Sequence, residues 1–277
     1  MRKWNLIIDV AECTNCQLFA LSAMDEYVGN EWQGVAAPMP RNGHRWIDIK
    51  QKERGQAPMI DIAYVPTMCN HCDNAPCVAK GGGTVTKRED GIVIIDPVKA
   101  KGRKDLVESC PYGHIWWNDE AKLPQIWPFD AHLLDQGWMQ TRGQQACPTS
   151  AMRAVKVEDD EMARIARDEG LEVMKPEAGT KPRVYYRNLW RYSKSFIGGS
   201  VATETGGIVD CVKGADVRLI KDGQTVASAV TDNYGDFKFD GLDENSGRYT
   251  VEFMADGKSK VLDASLGESV FLGEIRI

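Results

Sequence analysis

The sequence predicts two domains of different class: an α+β domain organised around cysteine-bound metal over residues 1–198, and a small all-β sandwich or barrel over 199–277. Three observations carry this. Seven of the eight cysteines and all eight tryptophans precede residue 195. Three of those cysteines fall within nine positions, CNHCDNAPC at 69–77. Beyond residue 200 the texture changes to short alternating strands separated by turn signals.

A chain of 277 residues with 43% hydrophobic content is long enough to bury a sizeable core. Its net charge of −6 argues against a nucleic-acid partner, whose phosphates favour a basic surface. No apolar run approaches the ~20 residues that span a bilayer. The opening MRKWNLIIDVAEC has no small-residue cleavage site and does not read as a signal peptide. The expected location is cytoplasmic, where thiols stay reduced, so the cysteines are read as metal ligands and not as a disulfide framework.

In chain order, LIIDV (6–10) reads as a first buried strand, and QLFALSAMDEY (17–27) as a helix. VEDDEMARIARDEG (157–170) reads as a second helix, with Met162, Ile165 and Ala166 on one face and Gly170 as its stop. GTKPRVYYRNLWRYSKSFIGGS (179–200) mixes basic and aromatic residues and ends in Gly-Gly-Ser, which reads as an extended partner-docking arm leading into a linker. The strands VRLI, TVASAV, FKF and YTVEF follow, joined by Asp-Gly and NYGD turns. Cys211, at the start of this second domain, is expected to be a small, buried, unligated residue.

Cys69, Cys72 and Cys77 supply three thiols, and a tetrahedral thiolate site needs four. In the ferredoxin arrangement a cluster takes three thiolates from one loop and a fourth from a distant cysteine directly before proline. Two lone cysteines here carry that mark, Cys110 in VESCPYG and Cys147 in QQACPTS. Zinc also takes four thiolates, but zinc ribbons usually use two C-x2-C knuckles. Three-plus-one with a trailing proline is the iron–sulfur pattern.

On IDVAECTNC, MDEYVGNEW, GHRWIDI, CNHCDNAPCVAKGGG, EDGIVIIDPVKAKGRKDLVESCPYG and KPRVYYRNLWR, the chain resembles the four-cluster ferredoxin-like subunits that accompany molybdopterin enzymes of the dimethyl-sulfoxide-reductase type. With its C-terminal β-domain it is similar to the transhydroxylase members of that family. The second domain, through TDNYGDFKFDGL and GRYTVEF, resembles transthyretin-like β-domains.

The family pattern has four cysteine motifs, the first paired with the fourth and the second with the third. Carried over residue by residue, it implies one complete [4Fe–4S] cluster on Cys69, Cys72, Cys77 and Cys110. That cluster's pair partner has lost its ligands at Gly81, Ala100, Arg103 and Leu106. The resemblance further implies a three-thiol site on Cys13, Cys16 and Cys147, with Phe19 at the vacant place. This would be a [3Fe–4S] centre, or a [4Fe–4S] centre with a non-cysteine ligand. A fourth cluster is expected to be absent, its places read as Ala23, Leu123, Ile126 and Gly143. His71 and His114 are expected to tune a cluster by hydrogen bonding. Trp116, Trp117, Trp127, Phe129 and Trp138 are expected to pack where a cluster is missing.

No nucleophile-and-base pair, Gly-rich phosphate loop or paired acids stand out, so no catalytic residue is expected. The resemblance implies an accessory subunit paired with a large partner that carries a molybdenum or tungsten bis-pterin and acts on polyhydroxylated aromatics. The alternatives are an electron-transfer subunit of a molybdopterin oxidoreductase and a purely structural docking subunit.

Overall fold

A computed structural model describes residues 1–277, and the chain divides into two compact units. The first comprises Met1–Lys50 and Tyr64–Leu189, the second Gln51–Ala63 and Trp190–Ile277. The inserted piece is the distal part of a hairpin, β2 (Ile47–Gln56) and β3 (Met59–Met68). Nothing local in the sequence marks these residues as belonging with the C-terminal strands.

The first unit is built on a three-stranded sheet. β1 (Lys3–Asp9) lies in its middle, antiparallel to β8 (Met152–Val157) and parallel to β9 (Val184–Arg187). Its run of five buried residues, Trp4 to Ile8, suits a central strand covered on both faces. Around this sheet sit α1 (Leu18–Tyr27), α4 (Arg142–Ala146) and α5 (Asp159–Asp168). Both helices expected from the pattern are present, and Met162 is buried. Short hairpins, β4 (Val85–Lys87) with β5 (Val93–Ile95) and β6 (Trp116–Asn118) with β7 (Leu123–Gln125), complete the unit together with α2 (Pro76–Gly81) and α3 (Ala131–Asp135).

The segment read as an extended arm and linker is regular structure. It forms β9, a single turn α6 (Trp190–Ser193), and the start of β10 (Ser195–Thr205). Gly198 and Gly199 are buried strand residues: a Cβ on Gly198 would collide with Met59 Sδ, and one on Gly199 would press on the Phe237 ring. Close approach, not flexibility, explains the Gly-Gly pair.

The second unit is all β. β10 pairs with β11 (Ile208–Cys211), β14 (Asp236–Leu242) and β17 (Val270–Arg276). The other sheet runs β13 (Gln224–Val230), β12 (Asp216–Lys221), β15 (Gly247–Ala255), β16 (Lys258–Leu266). Alternate residues point inward, Val217 and Leu219, Phe237 and Phe239, Tyr249, Val251 and Phe253, and one apolar cluster joins both sheets. Each fully buried side chain of this size contributes ~1.5–3 kcal/mol. Cys211 is exposed, not buried, because β11 is the edge strand of its sheet.

Candidate functional site

Cys69 follows directly on β3, Cys77 lies in the first turn of α2 behind Pro76, and Cys110 closes the 3-10 turn Lys104–Ser109. These connections bring Cys69, Cys72, Cys77 and Cys110 together. Charge on each of the other three bears on Cys69, and charge on Cys110 bears on both Cys72 and Cys77. Cys69, Cys77 and Cys110 join one apolar cluster with Val85, Val93, Ile95, Ala100, Leu106, Ile115, Leu123 and Ile126.

The 69–75 loop is tied down by groups that use up its backbone polarity. Lys87 Nζ donates to the carbonyls of His71 (2.8 Å) and Cys72 (2.9 Å). Arg183 Nε and Nη2 grip the Asp73 carboxylate at 2.7 and 2.6 Å, and its backbone N–H donates to Asn70 O. The Asp73 and Asn74 amides donate to Lys181 O and Thr180 O at 2.9 Å. His71 stands at φ 45°, and its Nδ1 accepts from Val93 N at 3.0 Å. Nε2 is then the protonated nitrogen; it is buried and has no acceptor in the chain. The Asn70 Oδ1 and His114 Nδ1 atoms are likewise buried without partners. Burial holds both imidazoles neutral, His71 at about 3 and His114 at about 4.

The thiols respond to the same burial. Desolvation, then mutual repulsion, pushes Cys69 well up and Cys77 to about 11; Cys72 is raised less, eased by a hydrogen bond from Thr180 and by Lys87. Four thiolates so placed need positive charge among them, which a polynuclear metal core supplies and which deprotonates them on binding. Four thiols against an apolar wall are the soft sulfur donor set that an iron–sulfur cluster takes, so the residues fit a cluster.

Cys13, Cys16 and Cys147 form a second group. Cys13 and Cys16 lie on the loop after β1, and Cys147 caps the end of α4. They share one pocket with Thr14, Gln17, Phe19, Ile49, Pro66, Thr149, Ala151 and Met152. Burial raises Cys13, with smaller contributions from Cys16 and Cys147, while Cys16 itself is exposed. Thr141 caps α4 by accepting from Gln144 N at 3.2 Å, and Gln144 Oε1 fixes the helix to Ala154 N at 2.7 Å.

The places expected for the missing fourth cluster need correction. Ala23 on α1 and Gly143 on α4 lie on helices packed against each other, but Leu123 and Ile126 belong to the apolar cluster around Cys69. The residues that reach Gly143 are Phe19, whose ring occupies the space of a Gly143 Cβ, and Asp130, which accepts from Arg142 N at 2.8 Å. Trp127 stands edge-on to Phe19 with ring centroids 5.4 Å apart. Trp127 and Asp130 keep the x2 spacing of a C-x2-C pair, four residues after the positions read from sequence. Asp130 is buried, with Oδ1 accepting from Trp127 Nε1 (2.8 Å) and Tyr27 Oη (2.9 Å). Burial raises its carboxyl, and the hydrogen bonds from Trp127, Arg142 and Tyr27 oppose that rise. Aromatic rings and a hydrogen-bonded carboxylate thus fill this volume. At the other vacated places Ala100 and Leu106 are core residues, and Arg103 turns to Asp105 and to the carbonyls of Gly81 and Lys80. Sequence reasoning expected Trp127 to pack where a cluster is missing but missed Asp130, because no thiol remained to fix the register.

Residues 60–157 match the family model described as a 4Fe-4S dicluster domain. The whole chain is 47% identical to the pyrogallol hydroxytransferase small subunit of Pelobacter acidigallici, covering 100% of both chains. It is also similar to a tetrathionate reductase subunit of Salmonella typhimurium, at 29% identity over 68% of this chain and 73% of that one. A third relative is the arsenate respiratory reductase iron-sulfur subunit of a Shewanella species, at 26% over 65% and 94%. No helix is long and apolar enough to cross a membrane.

Proposed function

We propose a function on one premise: the chain belongs to the family of the pyrogallol hydroxytransferase small subunit, among the iron–sulfur β subunits of dimethyl-sulfoxide-reductase-type enzymes. It serves as the non-catalytic iron–sulfur subunit of a heterodimer. The larger partner carries a molybdenum or tungsten bis-pterin and transfers hydroxyl groups between polyhydroxylated aromatics. Cys69, Cys72, Cys77 and Cys110 hold a [4Fe–4S] cluster, and Cys13, Cys16 and Cys147 hold a second iron–sulfur centre. The second unit is a transthyretin-like sandwich. Eight unpaired thiols support a cytoplasmic setting.

One observation carries the reading: four thiols are gathered around a cross-tied, largely buried loop, while the remaining cluster places are filled by side chains. When bound, such a cluster accepts and releases single electrons. The chain's own groups do the rest. Lys87 and Arg183 hold the loop backbone, His71 keeps a buried N–H with no acceptor in the chain, and Leu106, Ile115 and Ile126 keep water out. With places filled by Ala100, Leu106, Trp127 and Asp130, no full series of clusters links the partner's metal to an outside acceptor. Hydroxyl transfer between phenols exports no net electrons and tolerates that interruption, whereas a respiratory reductase does not.

The alternative, an electron-transfer subunit working over a short path, is favoured by one feature. His71, Trp127 and Phe19 make an unbroken run of ring contacts, 5.8 and 5.4 Å between centroids, from the four-thiol loop to the three-thiol pocket. The two readings separate in turnover of the purified heterodimer with pyrogallol and an external dye. Hydroxyl transfer without dye consumption is expected; dye reduction that keeps pace with turnover would select the electron-transfer reading.

A further inference from the structure

We propose that the Cys13, Cys16 and Cys147 site holds a three-iron [3Fe–4S] centre, and that Phe19 fixes this composition. The inference rests on the reading above that these thiols bind iron and sulfide. A four-iron cube needs a ligand at every iron, and three thiolates serve three of them. The fourth must come from the pocket wall or from water.

The wall offers no suitable donor. Besides the thiols, its polar side chains are Thr14, Gln17 and Thr149; it contains no carboxylate, imidazole or amine. A neutral hydroxyl or amide competes poorly for iron among soft sulfur ligands. One of the three is also engaged: Thr149 Oγ1 lies 3.7 Å from Cys147 Sγ.

Water is excluded at the corner that matters. Continuing the x2 spacing from Cys13 and Cys16 leads to position 19, where a thiol would close the set. Phe19 there is 3% exposed, its ring against Gly143 and edge-on to Trp127. Solvent reaches this site from the side of Cys16, which already carries a thiolate. The corner without a ligand is therefore dry and apolar, and gives a water no polar partners. Iron there has neither a protein donor nor a solvent donor, so the stable occupant is the cluster that lacks it.

The test uses the purified heterodimer, by EPR and Mössbauer spectroscopy with iron and sulfide assay. As isolated under mild oxidation, it is expected to show one EPR-active spin per chain near the free-electron g value, since oxidised [3Fe–4S] is paramagnetic and oxidised [4Fe–4S] is silent. Phe19→Cys should abolish that signal, add about one iron per chain, and give a new signal only on reduction. Phe19→Leu, which keeps the corner apolar, should retain the wild-type signal. A wild-type complex with two four-iron clusters and no oxidised signal would overturn the role of Phe19 while leaving the site itself intact. About four irons per chain in total would instead overturn the reading on which the inference rests. The wild-type spectra decide both, even where a variant fails to assemble.

Discussion

The two thiol groups share ligand chemistry but differ in setting. Cys69, Cys77 and Cys110 join the apolar core of their unit, and Cys69, Cys72 and Cys77 ride on a loop held by Lys87, Arg183 and His71. Cys13 and Cys16 lie on a surface loop, and Cys147 is half-buried at a helix end. A cluster at the first site replaces apolar core, so its loss leaves a charged or hollow interior. One at the second site borders a helix pair, α1 and α4, whose facing residues can be repacked. Phe19, Trp127 and Asp130 show that repacking carried through. Vacated places are filled in both settings, by Ala100 and Leu106 in the core and by Phe19, Trp127 and Asp130 beside the helix pair.

The largest effect expected from this contrast separates Cys72→Ala from Cys147→Ser. Removing Cys72 should release about four irons and cost several kcal/mol, because cluster binding is there a folding term. Removing Cys147 should release the second centre's iron alone and change stability by no more than about 1–2 kcal/mol. Iron assay with thermal unfolding of the heterodimer reads both, and equal destabilisation would break the comparison.

Next is Asp130→Asn. One of its two positions would face the amide NH2 against Arg142 N–H or against Tyr27 and Trp127, leaving buried donors unmet at about 2–4 kcal/mol. The pH dependence has a defined sign. Burial raises the Asp130 carboxyl above the ordinary ~3.9. The unfolded chain therefore loses this proton first, and the stability contribution falls as pH rises from about 4 through the raised value. Denaturant midpoints across that range should show this slope in wild type and not in Asp130→Asn.

Chelator with mild oxidant should strip the exposed Cys13–Cys16–Cys147 site first, about tenfold faster than the buried one. Loss at equal rates would remove the distinction in exposure.

The smallest effect lies in the second unit. Burial alone would raise Asp61, but hydrogen bonds from Arg191 and Arg54 outweigh it and hold the carboxyl at about 2. That contribution is present above the unfolded value near 4 and lost as pH falls through about 2. Asp61→Asn should cost about 1–2 kcal/mol at neutral pH, flatten this acid limb and leave iron content unchanged.

Sequence legibility follows the same contrast. Thiols at C-x2-C spacing and before proline stand out in a single chain, the family resemblance groups seven of them as candidate ligands, and in the structure they fall into two groups. Alternating residues such as Phe237 and Phe239 likewise disclosed the β-unit. What replaced a lost cluster was harder to place, since packing residues keep no fixed spacing; Leu123 and Ile126 lie four residues before Trp127 and Asp130. The Gly198–Gly199 pair imitated a linker because close packing and flexibility select the same residue. Neither the assignment of Gln51–Ala63 to the second unit nor the edge position of Cys211 has a local signal.

Iron and labile sulfide per chain in the purified heterodimer, with Mössbauer assignment, test the central claim most directly. We expect about seven irons and eight sulfides, four of the irons in a cluster that Cys72→Ala removes. Stoichiometric zinc without sulfide, or about sixteen irons with every vacated place filled, would contradict it.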